Sequence, residues 1–406
     1  MKTRIAMAVT AALAATVVAA TSLVQAQQSA PVLTPAGLAE AKGLLDRYVA
    51  EKKIAGAVAG VSRTGRREEV LTAGVQDLAS GAPMTPRSLF RIYSMTKSVT
   101  SVAAMMLFEE GRFSLDDPVS KFIPEFAKVT VAANGTTRPA SAAITVRDLL
   151  LHTSGLNHRT SEIYRREQVR SREITMQRFI ENLVRVPLME DPGTRYRYSE
   201  GTSVVGRLVE IWSGKPFDAF LDERIFKPLR MTDTSFWAAS PDARARLTTV
   251  YAPSGTGGLS AVELETIPFT ERPTLIEGAV GLLSTVPDYM RLAEMLLNRG
   301  ELNGVRLLKP ETVDMMTSNG LSAAVQQARG GSMGWGLGNV NVLLAATGQN
   351  ASSHVGEYGW DGTAGTIFWV DPTAKTVIVL MTQSSPANPD GIRQRFKTAV
   401  LQGMAP

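Results

Sequence analysis

The 406-residue chain contains no cysteine, which excludes thiol catalysis, thiolate metal sites and disulfides. Histidine is scarce: His152, His158 and His354 are the only three. They form no His-x-x-x-His or His-Glu-x-x-His pattern, so the clustered ligands of a zinc site are missing and no metal is expected. Charge of either sign is dispersed. The 43 basic residues face 38 acidic ones without any block of like charges, so the footprint of a nucleic-acid partner is absent. There is no low-complexity tract, and a chain of this length can bury a sufficient core without cross-links.

What is present begins with a segment to be set apart from the fold. Lys2 and Arg4 precede an apolar run from Ile5 to Val24, which ends on the small-x-small pattern Val24-Gln25-Ala26. This is the grammar of a secretory signal peptide over residues 1–26, and it implies a periplasmic or secreted protein. An uncleaved membrane anchor is the alternative. After cleavage no stable membrane anchor is expected, and residues 27–406 form the working domain.

Apolar spacing predicts a helix over 36–55, with Leu38, Ala41, Leu44, Leu45 and Tyr48 on one face. A hairpin follows over 56–75 around Thr64-Gly65-Arg66-Arg67. Leu89 to Tyr93 reads as an extended approach to Ser94, and Ser94 to Glu110 as a helix stopped by Gly111. Asn134-Gly135 marks a small hairpin, and Thr145 with Asp148 marks the start of a short helix. Helices are expected over 173–185, 201–213, 286–300 and 390–402. Strands are expected over 366–370 and 376–381, around Asp371-Pro372. Sheet-forming segments thus sit at both ends of the chain with mostly helix between them, and no parallel βαβ repeat occurs. The fold class is α+β: an antiparallel sheet built from both chain ends, flanked by helices, with a mostly helical insertion. The sheet lobe would take about 36–114 and 271–406 and the helical lobe about 115–270, with a cleft between them suited to a site.

Tyr93-Ser94-Met95-Thr96-Lys97 carries the chemistry. Ser94 stands where a strand hands over to a helix, whose free N–H groups and partial positive charge suit a developing oxyanion. Lys97, at i+3, lies on the same helix face as the Ser94 hydroxyl. Burial beside Val99, Val102, Ala103, Met106 and Leu107 would favour its neutral, proton-accepting amine. Among the lysines, only Lys97 has a serine three places before it. Spacing alone leaves a second reading open, in which Ser94 is a helix cap and Lys97 a solvated side chain. Gly330-Gly331-Ser332-Met333-Gly334 also fits Gly-x-Ser-x-Gly, but that elbow needs a helix after it. Gly334-Trp335-Gly336-Leu337-Gly338 cannot start one, so Ser332 reads as loop.

The wider segment Phe90-Arg91-Ile92-Tyr93-Ser94-Met95-Thr96-Lys97, with Glu109-Glu110-Gly111-Arg112 and Leu115-Asp116-Asp117-Pro118-Val119, resembles the serine β-lactamase and penicillin-binding protein superfamily. It is most similar to carboxylesterase family VIII and its class C β-lactamase relatives. The resemblance runs from about residue 35 to the C-terminus. It includes Leu149-Leu150-Leu151-His152-Thr153-Ser154-Gly155-Leu156 and Gly281-Leu282-Leu283-Ser284-Thr285, both read as structural, with His152 as a hydrogen-bonder at a helix end. It implies a β-lactamase/transpeptidase-like fold and a Ser94 nucleophile. Tyr198 of Tyr198-Ser199-Glu200 would share the general-base role with Lys97; a buried helix-start aromatic is the alternative for Tyr198. Class C enzymes carry Asn two places after this Tyr, where Glu200 stands here, so Glu200 is placed among the substrate-binding residues.

The superfamily's Lys-Thr-Gly motif is absent. Its matching strand is Trp360-Asp361-Gly362-Thr363, near the Trp-Gly-Gly of family VIII; His354-Val355-Gly356 is a rival alignment. Trp360, Asp361 and Gly362 are then expected at the substrate, and the N–H groups of Ser94 and Thr363 as the oxyanion hole. Ordinary core packing is the alternative for Trp360. Losing the lysine of Lys-Thr-Gly removes a partner for a substrate carboxylate and favours neutral esters, although an arginine elsewhere could compensate. The expected protein is a serine hydrolase acting on a small-molecule ester or amide without metal or organic cofactor. Small carboxylic esters are the first reading. β-Lactams or D-amino-acid peptides and amides are the second, and a non-catalytic binding protein on this fold is the third.

Overall fold

Thr34 starts the first helix by accepting the N–H of Gly37 at 3.0 Å, with Pro35 opening the first turn of α1, Pro35–Ala50. This is the beginning of a computed structural model that describes residues 30–255 and 257–406. The expected signal peptide, residues 1–26, lies outside the described residues. No helix among the described residues is long and apolar enough to cross a membrane.

The chain then turns back on itself in β1, Gly56–Arg63, and β2, Glu69–Gly74, in antiparallel register from Gly56 opposite Gly74 to Val61 opposite Glu69. Gly65 turns the hairpin with φ +79°. The short strand β3, Phe90–Arg91, pairs with β4, Leu283–Ser284. Five further strands come late: β5, Met333–Gly336; β6, Val340–Leu343; β7, Tyr358–Asp361; β8, Thr366–Asp371; and β9, Thr376–Thr382. They join the N-terminal hairpin in one sheet of order β5-β6-β7-β8-β9-β1-β2, antiparallel throughout. The C-terminal strand β9 therefore lies beside the N-terminal strand β1, and the sheet is built from both ends of the chain.

One face of that sheet is covered by α1 and the C-terminal helix α8, Ile392–Gly403. Side chains such as Leu45, Val61, Leu380 and Phe396 fill the space between. The two helices meet at Gly37 and Gly403, where a Cβ on either residue would collide with the other's backbone. On the other face lies α7, Val286–Leu297, against β1 so closely that a Cβ on Gly60 would strike Met290. Behind α7 a single core runs on through α2, Thr96–Glu109, and α6, Gly201–Ser213. Between them come the capped helix α3, Val146–Leu150, with both halves of the Thr145/Asp148 capping box formed, then α4, Glu162–Arg166, and α5, Met176–Arg185. The hairpin at Asn134-Gly135 forms as well, pairing Thr130–Ala133 with Thr136–Pro139.

Two local features differ from expectation. The extended run into Ser94 is shorter than the sequence suggests. β3 ends at Arg91, Tyr93 takes a left-handed φ of +41°, and Tyr93–Met95 form a 3-10 turn before α2 begins. Helix α2, moreover, has no solvent face along most of its length: every residue from Thr96 to Leu107 is buried. It packs against α6 and is enclosed within the core, so its hydroxyls must find internal partners. Thr100 Oγ1 donates to Thr96 O and Gly278 O, and Ser98 Oγ to Asn339 O.

Candidate active site

Ser94 does not cap α2: no side-chain capping bond forms at the start of the 3-10 turn or of the helix. Its hydroxyl faces the Lys97 amine instead, at 3.3 Å from Nζ. Lys97 Nζ also donates to Ala279 O at 3.0 Å and lies 4.7 Å from the centre of the Tyr198 ring. Lys97 has no carboxylate within ion-pair distance among the described residues and is 1% exposed. Burial, assisted by the nearby Arg159 cation, pushes its amine down to about 7, against the pull of Glu200 and Glu277. A neutral amine holds two N–H groups and one lone pair. It can therefore donate to Ala279 O and accept from Ser94 O–H at once.

The turn that carries Ser94 is strained. A tyrosine at positive φ costs on the order of 1–3 kcal/mol, and such strain persists only where packing imposes it. Here Tyr93 is locked among Leu89, Phe269, Ala279 and Ala364, edge-on to Phe269 with ring centres 5.9 Å apart. The Tyr93 hydroxyl is buried there with no hydrogen-bond partner among the described residues.

Tyr198 stands just before α6. Its hydroxyl accepts the Trp360 indole N–H at 3.1 Å and exchanges a hydrogen bond with Ser94. Burial raises its pKa well above the ordinary phenol value, the bonds from Ser94 and Trp360 opposing. The ring sits in an aromatic box: His152 at 4.6 Å, Trp360 at 5.1 Å and Trp335 at 6.0 Å between ring centres. Trp335 is edge-on to Trp360 at 4.6 Å and anchors its own N–H on Leu150 O at 3.1 Å. His152 accepts the Ser199 N–H at Nδ1, 3.3 Å away, and desolvation holds its pKa far below the usual imidazole value. The geometry gives His152 the place of a neutral hydrogen-bonder at the end of α3.

β7 brings Trp360 and Asp361 to the same spot, and the turn after it carries Gly362 and Thr363. Gly362 lies so close to the Ser94 turn that a Cβ there would collide with Ile92 O and Thr366 Oγ1. Arg393 of α8 clamps this turn, with Nη1 on Asp361 Oδ2 at 2.6 Å and Nη2 on Gly362 O at 3.0 Å. Asp361 is therefore committed to an ion pair that holds the turn. His354, the rival position, pairs with Asp371 at 2.6 Å, at the far end of the β7–β8 hairpin. Ser332 precedes β5 rather than a helix, outside this cluster.

Glu200 was expected at the substrate, and the structure corrects this. It is 1% exposed, and both its oxygens are held by Arg159, at 2.8 and 2.9 Å. Arg159 also reaches Glu277 at 3.4 Å, Arg170 binds Glu277 and Glu265, and Ser203 Oγ donates to Glu200 and Glu277. Glu200 is thus one member of a buried ionic chain beside Lys97, whose charge it senses without contact. Arg159, Arg170, Glu277 and Trp335 escaped the sequence reading. Trp335 carried a signal: Gly334 and Gly336 beside it are places where a Cβ would meet Asn319 and Met316 O, the mark of close strand packing.

With this geometry in view, comparison with known proteins is informative. The family described as Beta-lactamase matches residues 41–402. Protein Rv1367c of Mycobacterium tuberculosis is 34% identical over 351 residues, covering 82% of this chain and 86% of that protein. Esterase EstB of Burkholderia gladioli is 28% identical over 366 residues, covering 84% of this chain and 89% of the esterase. Among solved structures, EstCE1, a hydrolase with promiscuous acyltransferase activity, superposes with a TM-score of 0.78 at 25% identity, over 90% of this chain and 98% of its own.

Proposed function

The chain belongs to the Beta-lactamase family of serine hydrolases, and from that premise we propose that it hydrolyses small carboxylic esters through an acyl-enzyme on Ser94. The observation that carries this is the buried Lys97 amine, pushed down to about 7 and 3.3 Å from the Ser94 hydroxyl. The similarity to esterase EstB supports the choice of ester, as does the Trp360-Asp361-Gly362 strand in place of Lys-Thr-Gly. Export to the periplasm or the medium follows from the sequence reading of residues 1–26.

In this mechanism Ser94 Oγ attacks the ester carbonyl and its proton passes to the Lys97 lone pair. The N–H groups of Ser94 and Thr363 hold the tetrahedral oxyanion. As the intermediate collapses, the proton moves from Lys97 through the Tyr198 hydroxyl to the departing alkoxide. Water then attacks the acyl-enzyme, gives a proton to Lys97, and Ser94 regains it as the acid leaves. Tyr198 works here as a neutral relay. The shared base role expected from sequence needed a phenolate stabilised by a neighbouring ammonium. Burial instead raises the phenol's pKa and lowers the amine's, which supports the amine as the proton acceptor.

The test compares p-nitrophenyl butyrate with a chromogenic cephalosporin. Butyrate turnover is expected to exceed cephalosporin turnover by at least about a hundredfold in kcat/KM, some 2.7 kcal/mol of transition-state discrimination. The reverse order would transfer the protein to the β-lactam reading. The free amine is the active form, so kcat/KM should rise with pH up to about 7 and level off above it. A profile flat from pH 5 to 8 would contradict a Lys97 base.

Gly362→Ala tests the oxyanion site. The added Cβ would collide with both Ile92 O beside the nucleophile turn and Thr366 Oγ1, so the turn must shift. Moving the Thr363 N–H is expected to lower kcat about a hundredfold, the cost of one oxyanion donor. Single-turnover acylation rates measure this directly, and a normal rate would place the oxyanion elsewhere.

A further inference from the structure

Beyond His158 and Thr160 the surface opens into a cavity of about 920 Å³ with an unusual lining: six arginines against three glutamates. The His158 ring lies 5.5 Å from the Tyr198 ring, and His158 Nδ1 shares a 2.7 Å hydrogen bond with Thr160 on the cavity wall.

The lining charges do not cancel. Glu265 is committed to Arg170, Glu167 to Arg166, and Arg178 pairs with Glu181, while Glu173 has no ion-pair partner among the described residues. Arg165, exposed at the end of α4, has no ion-pair partner among the described residues. Arg185, at the end of α5, bonds among the described residues only to Asn182 and the Glu181 carbonyl. Arg159 contributes from within. Its Nε and Nη2 hold Glu200, while its Nη1 is buried and has no hydrogen-bond partner among the described residues. An unpaired buried guanidinium nitrogen costs free energy that an incoming acceptor would recover.

We propose that this cavity binds an anionic group at the remote end of the substrate, so that the preferred esters are those of acids or alcohols bearing a second carboxylate or a phosphate. Arginine forks suit either oxyanion, bidentate. The segment 159–185 thereby supplies the anion partner that the absent Lys-Thr-Gly lysine would have given. The proposal rests on the ester-hydrolase reading for the word substrate, but the anion site itself does not.

Two measurements separate these. The first is calorimetric binding of glutarate and of glycerol 3-phosphate to Ser94→Ala protein, with and without Arg165→Glu/Arg185→Glu. Binding that is lost on charge reversal and kept in Arg165→Lys/Arg185→Lys supports the site. Glutarate binding alone assigns a carboxylate, and glycerol 3-phosphate binding alone a phosphate. Binding of neither, or equal binding to the reversed variant, overturns the proposal. The second is the kcat/KM ratio of p-nitrophenyl hemiglutarate to p-nitrophenyl pentanoate on the Ser94 enzyme. Charge reversal should lower this ratio at least tenfold, and raising salt should lower it in the unmodified protein. A ratio unchanged by reversal counts against the site. If neither ester is hydrolysed, the ester reading fails while the calorimetry still decides the anion site.

Discussion

Ser94→Ala is expected to lower kcat/KM for p-nitrophenyl butyrate by about 10⁴ or more and to abolish the acylation burst, with little change in thermal unfolding. The two halves of that result come from different facts. Activity falls because the covalent route vanishes, while the backbone N–H groups and the aromatic walls survive to give only residual catalysis. Stability holds because the Ser94 hydroxyl supports no structural element. It caps neither the 3-10 turn nor α2, and its side-chain partners are Lys97 and Tyr198. Lys97 keeps its bond to Ala279 O in the variant. Had Ser94 been an ordinary helix cap, alanine would instead cost about 1 kcal/mol of stability with activity intact. Steady-state turnover and a melting curve on one preparation distinguish the two readings. Surviving ester turnover would point to another nucleophile; Ser332, the other serine in a hydrolase-like motif, lies outside the cluster.

The comparison of sequence with structure is uneven in an instructive way. Elements whose pattern is local were legible. The α1 stripe, the Gly65 turn, the Thr145/Asp148 capping box and the strand pair around Asp371-Pro372 all follow from residues within a few positions of one another. Two-residue strands and a strained turn are not local events. Tyr93 adopts positive φ because Phe269 and Ala364, far along the chain, leave it no other place, and nothing in Ile92-Tyr93-Ser94 encodes that. The same holds for α2: its sequence mixes Thr, Ser, Val and Met in a way that suggests one apolar face, and only tertiary enclosure buries it all round. At the site, Ser94, Lys97 and Tyr198 come together, and Trp360 joins them through the Tyr198 hydroxyl. Glu200 was misread because a carboxylate two places after the tyrosine looks available. Its partner Arg159 lies 41 positions upstream and takes both oxygens. Charges that are neutralised at long range cannot be told from free ones by sequence alone.

Replacing Lys97 separates the two things its burial does. Lys97→Arg keeps a cation that does not release its proton near neutral pH, so it cannot accept one from Ser94. Lys97→Met keeps the approximate shape and removes the base. Both are expected to lower kcat/KM about 10³-fold or more, since the same group serves acylation and deacylation. The stabilities diverge with pH. In the folded protein the Lys97 amine titrates near 7, and in the unfolded chain near 10.5. Between those values the unfolded state holds more protons, so this group makes stability rise as pH rises from 7 to 10.5. The penalty of burying the amine is complete below 7. Lys97→Met has no such group, so its stability relative to wild type should grow as pH falls through that window and level off below 7. Other displaced groups, such as Glu68 and Asp288, titrate at or below about 7, are present in both proteins and drop out of the difference. Urea unfolding of the pair at pH 7, 8 and 9 measures it. A pH-independent difference would mean that Lys97 folds with its proton on, and the general base would then have to be sought elsewhere in the cluster. A growing difference together with lost turnover would tie the destabilised amine to the chemistry: the protein tolerates a costly buried lysine because only in its neutral form can it take the Ser94 proton.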